Sequence, residues 1–94
     1  MLVYKAMYKY LDQGVHAEVL DFPGVITWSE TLEDARRLLA SALVDMAETS
    51  WARCEALPQP DPSSTDFESD LEEPIYLLMQ AATQVDSVPQ NAVP

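Results

Sequence analysis

Basic residues, cysteine, histidine and glycine are all scarce in this chain of 94 residues. Five lysines and arginines stand against sixteen aspartates and glutamates, a formal net charge of −11 at pH 7, and no basic residue follows Arg53. Because nucleic-acid affinity rests mainly on cations that neutralise phosphates, we expect no direct binding to DNA or RNA, and none to an anionic membrane. A basic protein partner is the electrostatic complement. The alternative is that the acidic residues only keep a small protein soluble.

The single cysteine and the single histidine exclude most metal and catalytic chemistry. As the single cysteine, Cys54 cannot form a disulfide within the chain. A free cysteine is typical of proteins in the reducing cytoplasm. A structural zinc site needs about four Cys, His or carboxylate ligands at suitable spacings. His16 falls on the polar register of a predicted strand, so an exposed histidine is favoured over a general base. The two glycines are too few for a phosphate-binding loop. We therefore expect no enzyme activity, no metal and no cofactor.

Long apolar runs are also absent from the sequence. None approaches the roughly 18 residues that would span a bilayer. The N-terminus alternates apolar and polar residues instead of pairing a basic start with a long apolar stretch, so no signal peptide is expected. A cytoplasmic location is predicted. The length suits one domain with a small core, since a chain of this size buries only about 60–65% of its unfolded surface.

Alternation with period two predicts three strands in the first 28 residues. They cover residues 2–11, 15–19 and 25–28 and form an antiparallel meander. Gly14 lies in the first connection, where it can adopt a positive φ. A fourth strand is predicted at residues 74–79, which are apolar on both faces and would be buried on both sides or lie at an oligomer contact.

A turn and a helix start are the clearest local signals. Pro23 followed by Gly24 fits the two central positions of a type II turn. Thr31 is a predicted N-cap, and Glu33 and Asp34 suit the positive end of the helix dipole. The helix should then run to about Cys54, because apolar residues recur at spacings of three and four. The predicted apolar stripe consists of Leu32, Ala35, Leu39, Ala42, Leu43 and Met46.

The predicted fold is α+β in the order β-β-β-α-β, with the three-stranded meander plus a fourth strand and one long helix packed on the sheet. The domain is placed at residues 1–82. Within it, residues 58–73 are an acidic, Pro-rich stretch, which we call the acidic connection. Residues 83–94 are predicted to be a flexible C-terminal tail. A meander followed by a helix also begins the ribonuclease H architecture, but the first strand lacks the carboxylate that two-metal catalysis requires. Nuclease activity is therefore the weakest hypothesis.

Three features in order resemble the HicB antitoxin family. They are a tyrosine on the first strand, Tyr8, the turn at residues 21–24 (Asp-Phe-Pro-Gly) and the helix start at residues 31–35 (Thr-Leu-Glu-Asp-Ala). The Pro-rich helix exit at residues 57–60 is similar as well. The resemblance covers residues 2–80 in pattern and implies a partial ribonuclease H-like fold. Trp28-Ser29 departs from the family, where a smaller polar or glycine-containing step is usual.

The resemblance implies a non-catalytic antitoxin that neutralises a small, basic ribonuclease of the HicA type by covering its RNA-binding face. Many relatives carry a C-terminal DNA-binding domain, whereas a stand-alone HicB domain without one is expected here. An alternative remains open: an orphan HicB-like regulatory or scaffold domain that self-associates as a homodimer or higher homo-oligomer and has a non-nuclease partner.

The acidic connection supplies the candidate partner-binding residues. Its carboxylates would stand in for RNA phosphates, and two apolar side chains would act as anchors. The candidates are Asp66, Phe67, Glu68, Asp70, Leu71, Glu72 and Glu73. The alternative is that this stretch is only a solvated linker. Trp28 and Trp51 are assigned to packing in preference to the interface.

Overall fold

The computed structural model describes residues 1–79 and 85–88. Its elements are β1 (Leu2–Leu11), β2 (Gly14–Val19), β3 (Ile26–Ser29), α1 (Leu32–Ala52), β4 (Leu71–Met79) and β5 (Val85–Val88). The sheet order is β3-β2-β1-β4-β5, and every neighbouring pair is antiparallel. The α+β class, the meander, the fourth strand and the long helix are therefore confirmed. No helix in the described ranges is long and apolar enough to cross a membrane.

One face of the sheet is covered by α1 and carries the core. Successive side chains of a strand point to opposite faces, and the even-numbered positions of β1 point toward the helix. The buried side chains of this layer are Tyr4, Ala6, Tyr8, Val15, Ala17, Val19, Ile75 and Leu77 from the sheet, and Ala35, Leu39, Leu43 and Ala47 from α1. The predicted apolar stripe therefore identifies the face of α1 that packs on the sheet. Ala42 and Met46, at the margins of the stripe, are only half-buried.

The predicted turn and helix cap are both confirmed. Gly24 has a φ of 93°, and the Val25 amide donates to the Phe22 carbonyl at 3.3 Å, which closes the type II turn around Pro23. Thr31 is the N-cap of α1, and its hydroxyl accepts from the Asp34 amide at 3.2 Å.

The positive φ predicted for Gly14 is wrong, and glycine is needed there for another reason. Gly14 is not among the glycines with positive φ. It lies in β2 opposite Leu11, so the hairpin loop has two residues. A Cβ at Gly14 would meet the Trp28 ring and lie 2.7 Å from the Ser29 carbonyl oxygen. Glycine is required here because the indole ring approaches the backbone closely.

The helix ends at Ala52, two residues before the predicted end. Cys54 adopts a left-handed conformation with a φ of 55°. The Cys54 amide donates to the Trp51 carbonyl at 3.0 Å, and the Glu55 amide donates to the Ser50 carbonyl at 2.9 Å. This pair of bonds is the Schellman motif, which usually places glycine at the left-handed position.

The fourth strand begins earlier than predicted, and the predicted tail contains a further strand. β4 begins at Leu71, opposite Tyr8, so the last three residues of the acidic connection belong to the sheet. Residues 85–88 lie in the predicted tail but form β5, which satisfies backbone groups along the outer edge of β4. Four residues give too short an alternation to be recognised as a strand. The remainder of the predicted tail, and residues 80–82 of the predicted domain, lie outside the described residues.

Candidate protein-binding surface

The first part of the acidic connection is hydrogen-bonded to the first half of β1 and to Asp21. The buried Tyr4 hydroxyl donates to the Pro58 carbonyl at 2.8 Å. The Asp21 carboxylate accepts from the Lys5 amide at 2.9 Å and from the Asp61 amide at 2.8 Å, so it joins β1 to the connection. Burial, and then the charge of Asp21, raise the pKa of Tyr4. Asp21 therefore organises the backbone here.

The second part of the connection crosses the sheet face opposite α1. Lys5 and Lys9 both point to that face, because they alternate with the core positions of β1. The Lys5 ammonium donates to the Pro62 carbonyl at 3.0 Å, and Lys9 pairs with Glu68 at 3.3 Å. Met7 between them is only 2% exposed because the connection lies over it. The connection is thus an ordered layer on one half of this face.

Carboxylates within the connection hold its shape. The Glu72 carboxylate accepts from the Asp66 amide at 3.0 Å and from the Thr65 hydroxyl at 2.9 Å. These bonds, the backbone one first, lower the pKa of Glu72. Asp61 accepts from the Ser63 hydroxyl and amide, which lowers its pKa in the same way.

The seven candidate partner-binding residues do not all lie on one surface. Asp66, Phe67 and Glu68 lie together in the loop on the face opposite α1, and Phe67 is 100% exposed. Asp70 accepts from the Tyr10 amide at 2.7 Å and thereby extends the pairing of β4 with β1. The Glu72 carboxylate accepts from the Asp66 amide, so it points toward the loop. The other two candidates, Leu71 and Glu73, point toward α1 and do not share a surface with the loop.

A groove separates the connection from β2 on the face opposite α1. It has a volume of about 290 Å³. Met7 and Leu11 of β1 lie between its two sides, Glu18 lies on the β2 side, and Asp66 and Glu68 lie on the connection side. Lys9 and His16 also line it. We refer to this feature as the acidic groove.

Two apolar side chains of β3 lie directly beside the acidic groove. Trp28 is paired with His16 and Ile26 with Glu18, so both point to the same face as the groove. Trp28 is 50% exposed and Ile26 is 54% exposed. The sequence predicts that Trp28 is a packing residue, but its side chain is half-exposed and one edge of its ring lies against Gly14. Alternation shows that Ile26 and Trp28 share a face, but it does not show which face α1 covers.

A larger cavity of about 430 Å³ lies under the first part of the connection. Its lining includes Lys5, Asp21, Asp61 and Glu72, whose polar groups already bond within the protein. Among the residues that the structure describes, no three His, Cys, Asp or Glu side chains are placed to hold a metal ion.

No known protein family matches the chain, and no curated protein or solved structure is significantly similar to it. The resemblance to HicB antitoxins, including its ribonuclease H-like relationship, therefore stays a prediction from the sequence.

Proposed function

We propose that the chain is a non-catalytic protein-binding domain: a cytoplasmic, HicB-like antitoxin that covers the RNA-binding face of a small, basic ribonuclease of the HicA type. The observation that carries the proposal is an ordered acidic loop beside exposed apolar side chains on one sheet face. Glu68 and Phe67 stand on that loop, and Trp28 lies across the acidic groove from it.

Order in the loop matters because binding then requires little loss of chain entropy. The loop is attached to β1 by Pro62, Glu68 and Asp70. A pre-organised surface retains more of its contact energy as affinity than a flexible one does. Carboxylates held in place also speed encounter with a cationic partner and discriminate against acidic ones.

The test is co-expression of the full chain with a HicA-type toxin, followed by growth rescue and affinity capture. We expect rescue, and a complex whose affinity falls steeply as salt rises. A double variant, Asp66→Asn with Glu68→Gln, should weaken binding by about tenfold, or about 1.4 kcal/mol, and should flatten the salt dependence.

The matched control carries the same change in charge on the opposite side of the molecule. Asp45→Asn with Glu48→Gln alters two exposed positions of α1, and it should leave affinity nearly unchanged. A toxin that is neither captured nor neutralised by the wild-type chain would contradict the proposal. Equal losses in the two double variants would show that only net charge matters.

The second candidate is the orphan, self-associating domain, and exposed apolar side chains on an edge strand favour it. β3 is at one edge of the sheet and presents Ile26 and Trp28. Residues 75–79 favour it less than their sequence suggests, because Ile75 and Leu77 point into the core under α1 and only the opposite face of β4 is left for such a contact. Sedimentation over a range of concentrations distinguishes the two candidates: a stable homodimer that ignores the toxin supports the second.

A further inference from the structure

We propose that the acidic groove, with Trp28 and Ile26 at its side, receives a cationic segment of the partner that also carries apolar side chains. This inference rests on the proposed function and adds a second binding element to the loop. It assigns to the interface residues of β2 and β3 that lie far in sequence from the acidic connection.

The lining of the groove combines apolar and acidic side chains. The side chains between the two walls come from β1: Met7 is almost fully buried, Leu11 is 47% exposed, and Lys9 lies between them. The walls come from different parts of the chain: Glu18 belongs to β2, while Asp66 and Glu68 belong to the connection. A segment lying in the groove would therefore contact the exposed part of Leu11 below it and carboxylates on both sides.

The charged side chains that line the groove favour a cationic segment of a partner. Among the residues that the structure describes, three carboxylates line the groove, from Glu18, Asp66 and Glu68, against one lysine, Lys9. Lys9 is paired with Glu68 at 3.3 Å, and the His16 imidazole lies 3.7 Å from Glu18. The carboxylates outnumber the basic side chains of the lining, and an incoming lysine or arginine would offset that excess of negative charge.

A second copy of this chain fits the same surface poorly. A twofold contact brings the same patch of both subunits together, so this patch, which carries Glu18, Asp66 and Glu68, would face a second patch with the same excess of carboxylates. Like charges opposed in this way disfavour association. Each copy also carries a net charge of −11. The balance of charge therefore favours a different, basic protein.

The aromatic side chain gives the surface an anchor. Tryptophan is among the residues that most often dominate binding energy at interfaces. The Trp28 ring is already positioned, since it lies against the backbone at Gly14 and would clash with any side chain there. A half-exposed ring held in this way can stack on an apolar or guanidinium group with little loss of conformational freedom.

The experiment is a titration of the isotope-labelled full chain with a short synthetic peptide of alternating lysine and leucine, followed by NMR. We expect shifts of the Trp28 indole and of the Leu11, His16 and Glu18 amides. Trp28→Ala, and Glu18→Gln combined with Glu68→Gln, should each weaken binding by about tenfold. Each variant is first checked for an unchanged pattern of amide shifts outside the groove.

Two matched controls keep the same chemistry away from the groove. Trp51→Ala removes the other tryptophan, at the end of α1, and Glu48→Gln removes a carboxylate from the exposed side of the helix. Both should bind the peptide as the wild type does. A peptide with glutamine in place of lysine should bind much more weakly, since it lacks the cations.

Several results would overturn the inference. They are equal binding of the glutamine peptide, shifts confined to the outer side of α1, and a homodimer that Trp28→Ala dissociates. The toxin distinguishes this failure from that of the proposed function. If the wild type captures the toxin and the groove variants do so equally well, the inference falls and the proposed function stands. If the peptide binds in the groove but no toxin is captured, the proposed function falls.

Discussion

Arg36 on α1 and Glu73 on β4 form a bidentate ion pair that joins the helix to the sheet. The Nε–Oε1 distance is 2.7 Å and the Nη2–Oε2 distance is 3.0 Å. The Glu73 side chain is only 17% exposed, and the hydrogen bond to it is the main reason that the pKa of Arg36 is raised. The guanidinium also lies 5.9 Å from the centre of the Tyr8 ring. Glu73 therefore has a structural role within the fold.

Replacing Arg36 with methionine should destabilise the protein by about 1–3 kcal/mol, because a partly buried carboxylate loses two charge-assisted hydrogen bonds. Urea unfolding followed by circular dichroism measures the change. Arg37→Met is the control: its guanidinium is exposed and pairs with Asp34 at 3.4 Å, so its loss should cost less than about 0.5 kcal/mol. Equal costs for the two variants would show that the Arg36 pair contributes no more than a surface ion pair.

Local features of the fold were predictable from the sequence, and long-range ones were not. The Pro23-Gly24 turn and the Thr31 cap depend on residues within four positions of one another, so composition and order suffice. Glu72 and Glu73 are adjacent acids with the same apparent role in the sequence. Only the register of β4 on β1 places one against the loop and the other under α1.

The acidic groove could not be predicted from the sequence for the same reason. Its walls come from β2 and from residues 66–68, which are far apart in sequence. Nothing in either segment alone indicates that the connection folds back over β1. Two of the bonds that fold it back are the one that the Asp61 amide donates to the Asp21 carboxylate and the one that Lys9 donates to Glu68. Both are long-range contacts of charged side chains that look merely solvated in the sequence.

Gly14→Ala should destabilise the protein by about 1–3 kcal/mol, because the new methyl group would overlap the Trp28 ring and the Ser29 carbonyl. In a Trp28→Ala background the cost should fall but not vanish, since the backbone contact remains. A double-mutant cycle measured by urea unfolding gives the coupling. Gly24→Ala provides the comparison: its cost comes from a φ of 93° and should be the same with and without Trp28. Zero coupling at Gly14 would contradict the close approach of the indole ring.

Cys54→Gly should stabilise the protein by about 0.5–1 kcal/mol. Cys54 has a φ of 55° at the end of α1, and a left-handed conformation is costly for a residue with a Cβ but not for glycine. Thermal and urea unfolding both measure the gain. Cys54→Ala keeps the Cβ while removing the thiol, so it should show no comparable gain. If alanine stabilises as much as glycine, the effect belongs to the thiol and the backbone explanation is wrong.

Lowering the pH should weaken the hydrogen bonds by which Glu72 holds the loop at residues 65–66. The pKa of Glu72 is lowered from 4.5 by its bonds to the Asp66 amide and the Thr65 hydroxyl. A carboxylate with a lowered pKa contributes stability that is fully present above its unfolded pKa and is lost as pH falls through the folded one. The difference in free energy of unfolding between wild type and Glu72→Gln should therefore be constant near neutral pH and shrink below about pH 4.5. Glu48→Gln carries the same loss of charge and is the reference for general electrostatic effects. Curves for the two variants that run parallel from about pH 7 to about pH 3 would show that Glu72 does not hold the loop in this way.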